Sequence, residues 1–243
     1  MSGSPRLVCL HHLAQPFLGL AERPLRGAGL ELDERRLSEG DPLPALAEAD
    51  GILTLGGSES VLDVAGDATL TAEAELLREA VGAGVPVLGV CLGGQLLAHA
   101  LGGTVRRQPR RTVAWLELEA LPAAADDPLF APLGPRVPTL HWNEDVVTLP
   151  PGGTELLAGA PAGVAAFRAG ASAWGVQFHP DVDRAALDGW YERYAAWLDG
   201  AGVAEDAARA ADDRHFAAHA EASERLFAAF ARVVGQRAAP SRG

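Results

Sequence analysis

The stretch Gly84-Val85-Pro86-Val87-Leu88-Gly89-Val90-Cys91-Leu92-Gly93-Gly94-Gln95 limits the possible folds of this chain more than any other. An apolar run ends in a turn of small residues with one cysteine at its tip. A helical pattern from Gln95 to Leu101 follows. Strand, sharp turn and helix in the form Gly-x-Cys-x-Gly make a nucleophile elbow. The turn crowds the backbone, so Gly89 and Gly93 stand where a Cβ would clash. It holds the Cys91 thiol at a helix N-terminus, where the macrodipole favours thiolate. It also aims the backbone N–H of Leu92 at the place where an oxyanion would form. A lone cysteine in an apolar run is more often a small core residue, so the pentapeptide alone leaves both readings open.

A second segment bears on the choice. Ala173 to Asp181 reads as a strand running into a loop, with His179 at the strand's end, and Pro180 forbids continuation of the ladder. A thiol nucleophile needs a base to take its proton and an acid to orient that base. Cys91, His179 and Asp181 supply the three in chain order, with Asp183 a second candidate for the acid. Taken alone, the segment reads as a capped strand end with a solvated His and Asp in preference to a catalytic pair.

The layout before the elbow alternates. Arg6 to His11, Leu30 to Leu37, Gly51 to Leu55 and Val85 to Val90 read as strands. Phe17 to Gly27 reads as a loose helix, Thr71 to Val81 as a regular one, and Ser38 to Leu46 as a loop with a short helix. This βαβαβ order implies an α/β fold with a doubly wound, mostly parallel, flavodoxin-like sheet covered by helices on both faces. Ligands then bind at the carboxyl ends of the strands. Gly56-Gly57 and Cys91 both follow strands there and are expected to share one crevice. From Val113 to Gln177 short strands with turn signals predict a small antiparallel extension of the sheet.

At this point the residues resemble a known family, the class I (triad-type) glutamine amidotransferases, and within it the GMP-synthase-like, free-standing branch. Gly51 to Gly57 resembles the strand and glycine loop that help to form the oxyanion hole. Pro86 to Gly103 resembles the elbow, its helix and the next turn. Asp127-Pro128-Leu129-Phe130 and Leu140 to Asp145 resemble the middle segments, and Ala166-Phe167-Arg168 with Gly175 to Pro180 the closing strands and the His loop. The likeness covers Leu7 to Tyr194. It implies cleavage of the side-chain amide of glutamine through a Cys91 thioester, giving glutamate and ammonia. It further implies Gly57 and Leu92 as oxyanion donors, Gly56, Gln95, Trp142 and Asn143 at the substrate, no cofactor, no metal, and a separate synthase or other ammonia acceptor as partner. Three positions depart from the family pattern: Asp181 for Glu, Asn143-Glu144 for His-Gly, and Thr112-Val113-Ala114 for Glu-hydrophobic-Gly. They leave the triad in place and leave open whether glutamine itself is the amide. A stand-alone hydrolase of γ-glutamyl amides or peptides, and a non-hydrolytic elbow-cysteine binding protein, are the alternatives.

Composition narrows the partners. The 243 residues carry a net charge of −12, which argues against nucleic acid and anionic membrane surfaces. Cys9 and Cys91 are the only cysteines, too few for a disulfide framework. Met1 to Arg6 lacks a signal-peptide pattern, and no apolar run reaches transmembrane length, so a cytoplasmic location is expected. No Gly-x-x-x-x-Gly-Lys-Ser/Thr loop is present.

Residues 1–200 read as the amidotransferase-like domain and 201–243 as a helical extension packed on it, with a homodimer as one possible use. In Arg184 to Leu198, Leu187, Trp190, Tyr191, Tyr194, Trp197 and Leu198 recur at helical spacing. That stripe reads as packing against the sheet or a second protomer, in preference to an aromatic binding stripe. Asp206 to Val234 predicts a second helix, and Ala238 to Gly243 is expected to be disordered. His11-His12 ends the first strand near the active edge and reads as a loop pair without metal partners, His99 reads as structural, and His215 and His219 read as an i, i+4 pair lacking a third metal ligand.

Overall fold

The structure, a computed structural model, describes residues 3–238. Five strands run parallel in its main sheet: β1 (Arg6–His11), β2 (Glu31–Arg36), β3 (Gly51–Thr54), β4 (Val87–Val90) and β10 (Ala173–Val176). Two more, β7 (Thr154–Glu155) and β9 (Ala166–Ala169), complete it antiparallel to their neighbours, in the order β2-β1-β3-β4-β10-β9-β7. The first five follow the flavodoxin-like order. β3, β4 and β10 are buried along their whole length, as strands covered on both faces must be.

Alternation along the strands divides the core in two. Val8, Leu10, Ile52 and Val87 face the helices α2 (Ala68–Gly82) and α3 (Leu92–Ala100). Leu7, Cys9, Leu53 and Leu88 face α1 (Glu22–Gly27) and the 34-residue α6 (Glu205–Ala238), which contributes Leu226, Phe227, Phe230 and Val234. The helix predicted over Phe17 to Gly27 is shorter than its apolar pattern. Gly19 turns at φ 49° into a single 3₁₀ turn before α1 begins, because the chain there docks on the Asp181 carbonyl, to which Leu20 N–H donates at 2.9 Å. α6 reaches Ala238, the last described residue, so the disorder expected from Ala238 does not hold there, and for residues 239–243 the expectation lies outside the described ones.

The segment from Val113 to Gln177 supplies the expected antiparallel strands: β9 and β7 extend the main sheet, and most of the rest builds a second one. β5 (Val105–Ala120) and β6 (Arg136–Val147) are long strands that form a separate three-stranded antiparallel sheet with β8 (Leu157–Ala158). Pro109, which cannot donate to a ladder, falls in the register shift between Arg107 and Thr112. β10 joins the two parts of the main sheet, antiparallel to β9. It lies parallel to β4 near the middle of the main sheet. Buried Asp127 fixes it from below, accepting from Leu129 N–H at 2.9 Å, Phe130 N–H at 3.1 Å and Trp174 Nε1 at 3.1 Å.

The helical stretch after Asp183 splits into α4 (Arg184–Arg193) and α5 (Ala195–Ala201) at Tyr194. Asp212 of α6 ties this region together, accepting from Trp115 Nε1 at 2.7 Å and Tyr191 Oη at 2.8 Å. Among the described residues no helix is long and apolar enough to cross a membrane.

Candidate active site

β4 delivers Cys91 to the carboxyl edge of the sheet. Its backbone sits at φ 50°, ψ −106°, the only positive φ outside glycine among the described residues. Such a conformation costs of order 1–3 kcal/mol and persists only where the surroundings impose it. Here the Cys91 N–H donates to the Val176 carbonyl at 2.8 Å, and α3 starts at once. The helix can come this close only because of its glycines: a Cβ on Gly93 would stand 2.3 Å from the Thr54 carbonyl oxygen, and one on Gly89 2.5 Å from that of Gly93. Leu92 is the first residue of α3, so its N–H belongs to the helix donors without an intrahelical acceptor.

β10 brings the second half. Beyond Val176 the chain leaves the sheet, and His179 N–H donates to the Leu140 carbonyl of β6 at 2.8 Å. His179 Nδ1 lies 3.4 Å from Asp181 Oδ1, both groups being almost fully buried. Neither of those two atoms completes a hydrogen bond among the described residues, so the contact is one of charge. Catalytic hydrogen bonds are often this long before substrate binds. Burial alone would depress the pKa of His179. The charge of the adjoining Cys91 sulfur and the Asp181 carboxylate outweigh burial and push it up to about 10. Gln177 Nε2 reaches the Cys91 sulfur at 3.6 Å. Asp183 is occupied elsewhere: its carboxylate accepts from Ala186 N–H at 2.8 Å and caps α4.

The loop after β3 closes the site. A Cβ on Gly56 would come within 2.9 Å of His179 Cε1 and 3.7 Å of Cys91 Cβ, and one on Gly57 within 2.5 Å of Leu92 Cδ2. Gly56, Gly57, Cys91, Trp142, His179 and Asp181 therefore line one open cleft. Gln95 and Asn143 do not line it. Both donate their side-chain amides to the Asp145 carbonyl, at 3.1 and 3.0 Å, and Gln95 also reaches Gln177 Oε1 at 3.2 Å. They stiffen the wall behind the site.

One feature escaped the sequence reading, and a second was expected to pack. The first is a buried dyad beneath the glycine loop. His12 Nε2 lies 2.8 Å from Glu73 Oε2, and Thr54 Oγ1 donates to Glu73 Oε1 at 2.6 Å. Burial works against a charged His12, yet the fully buried Glu73 carboxylate prevails and raises its pKa. Sixty-one residues separate the pair, and no local pattern links them. The second is the aromatic stripe. Leu187, Tyr191 and Leu198 pack as expected, whereas Trp190, Tyr194 and Trp197 line the cleft. Trp190 stands edge-on to His179 with 4.9 Å between ring centroids. Helical spacing revealed the stripe but could not say what faced it.

Of the remaining histidines, His11 is buried and also lines the cleft, and His99, His141, His215 and His219 do not. His99 is exposed. His215 and His219 flank Trp115, at 6.1 and 5.0 Å between centroids. Burial, and then the His179 charge, pull the pKa of His141 down to about 4. No group of three or more potential ligands among the described residues is placed to hold a metal ion.

The comparisons with known proteins agree with this fold. The family model for class I glutamine amidotransferases matches residues 22–190. The GMP synthase of Aeropyrum pernix is 35% identical over 170 residues, which cover 66% of this chain and 31% of that protein. The chain thus spans only about a third of that relative's length. One subunit of the glutamine-hydrolyzing GMP synthase of Haloarcula marismortui is 34% identical over 169 residues, 68% of this chain and 80% of its own. Among solved structures, a glutamine amidotransferase of Thermotoga maritima has the same fold, with a TM-score of 0.82 at 23% identity over 95% of this chain and 98% of its own. Another, from Methylobacillus flagellatus, reaches 0.81 at 25% identity over 96% of each chain. On the match over most of its length, the chain belongs to the class I glutamine amidotransferase family.

Proposed function

We propose that this protein is a cysteine-dependent amide hydrolase that cleaves a glutamine-type side-chain carboxamide. The observation that carries the reading is the pairing of a strained Cys91 at the start of α3 with the buried His179 and Asp181 in one cleft. The Cys91 thiolate attacks the carboxamide carbon. The backbone N–H groups of Gly57 and Leu92 receive the oxyanion, each such donor being worth about 3–4 kcal/mol. His179 gives its proton to the leaving nitrogen as the C–N bond breaks. Asp181 holds the imidazole in orientation, while Asp183 serves α4. Water, deprotonated by His179, then hydrolyses the thioester to a carboxylate and restores the thiol. The Haloarcula relative is named as one subunit of a glutamine-hydrolyzing synthase, which supports glutamine as the reference substrate and a separate synthase as acceptor of its ammonia.

A second reading, hydrolysis of γ-glutamyl amides without an acceptor, is favoured by the middle segment. Asn143 is bound to the Asp145 carbonyl, and the Glu144 and Asp145 carboxylates are held by Arg107, with Arg111 on Glu144 and Ser60 on Asp145.

The test of the common mechanism is the intact mass of the protein after incubation with a glutamine-analogue electrophile, with and without excess glutamine, beside Cys91→Ala. A single adduct, blocked by glutamine and absent from the variant, is expected. No adduct on a thiol that still reacts with small alkylators refutes the glutamine-type pocket.

A further inference from the structure

An ammonia leaving group needs no wall around it, yet the His179 side of this cleft is built from large rings. In a thioester mechanism the acid that protonates the leaving nitrogen must lie within hydrogen-bond reach of it. Any substituent on that nitrogen therefore projects past His179. What stands there is Trp190, with its centroid 4.9 Å from that of His179, then Trp142 at 5.3 Å and Phe17 at 6.1 Å from Trp190. Tyr194 and Trp197, half-buried at the break between α4 and α5, continue the same lining. The charged group nearest the end of this wall is already spent. Arg111 stacks on Trp197 at 4.4 Å and pairs with Glu144 at 2.9 Å. The wall thus offers faces and edges of rings, which favour stacked or edge-on aromatic and apolar partners.

We propose that the amide cleaved here is a secondary amide whose leaving amine carries an aromatic or bulky apolar group, seated on Trp190 and Trp142 and bounded by Tyr194 and Trp197. The inference rests on the thioester mechanism above and specifies its leaving group. The balance is that of hydrolysis. The sulfur–carbon bond forms, the C–N bond breaks with its electron pair going to nitrogen, and nitrogen takes the proton from His179. Water then supplies the hydroxyl of the acid and returns a proton to the site.

The test compares L-glutamine with L-glutamine γ-anilide on the full chain, since the two share the acyl half and differ only on the leaving nitrogen. The kcat/KM for the anilide is expected to exceed that for glutamine by about tenfold or more, the effect of one well-placed ring contact. Trp197→Ala and Tyr194→Ala are each expected to lower the anilide-to-glutamine ratio by at least about threefold. A loss of folded protein lowers both rates and leaves that ratio unchanged. Preference for glutamine, or a ratio that neither substitution moves, overturns the proposal. Turnover of neither substrate, with Cys91 still open to alkylation, overturns the thioester mechanism itself and this inference with it.

Discussion

Replacing Gly56 with alanine tests the site at its tightest point. The backbone there is not left-handed, so only space opposes a side chain. An added methyl carbon would stand 2.9 Å from His179 Cε1, about 0.5 Å short of the ordinary 3.4 Å contact. The imidazole cannot yield freely. Trp190 meets it from one direction, the backbone N–H of His179 is tied to Leu140, and Asp181 lies at Nδ1. Overpacking of a filled interior costs about 1–3 kcal/mol. A misplacement of about 1 Å in a catalytic group can cost about 100-fold in rate, so half of it is expected to lower kcat by about tenfold. The assay is steady-state amide hydrolysis, with the folded fraction taken from denaturant unfolding and the rate of Cys91 alkylation followed beside it. Gly82→Ala is the control, because nothing lies within 4 Å of a Cβ there. If Gly56→Ala keeps kcat within about twofold of the parent while fully folded, the contact between the glycine loop and His179 does not govern the chemistry, and the reasoning fails.

The two aspartates separate in the same assays. Asp181→Asn is expected to lower kcat by about 100-fold or more, the scale of a lost acid–base partner. Asp183→Ala should cost about 1 kcal/mol in unfolding free energy, the value of an N-cap, with kcat kept, and the reverse pattern would transfer the orienting role to Asp183. Stability should also fall on acidification between about pH 6.5 and pH 4. Burial drives the pKa values of His11, His141 and His219 down to about 4, so the unfolded chain takes up protons in that window before the folded chain does. His179 has the opposite sign. Raised to about 10, it contributes stability that is whole below about 6.5 and lost as the pH climbs through 10. Melting temperatures across these windows check both signs, and a melting temperature that rises from pH 6.5 to pH 4 would refute the first.

What the sequence determined by itself was local. The run from Val85 to Gln95 dictates a strand, a tight turn and a helix because sterics within so short a span admit little else, and Gly89 and Gly93 sit where backbone atoms approach within 2.5 Å of a Cβ. The βαβαβ order before it implies the parallel sheet. The spacing of Trp190, Tyr194 and Trp197 implies a helical face, although not its break at Tyr194.

Only the tertiary structure decided what those faces meet. β10 lies beside β4 although 86 residues separate Gln177 from Cys91. His12 finds Glu73 across 61 residues, and Trp190 finds His179 through the packing of α4 against the cleft. Gln95 and Asn143, aimed at substrate by resemblance, turn to the Asp145 carbonyl because a buried amide must bond to whatever polar group is nearest. Local sterics and periodicity are written in neighbouring residues. The partner across a cleft is settled by which surfaces the whole chain brings together as it buries its core.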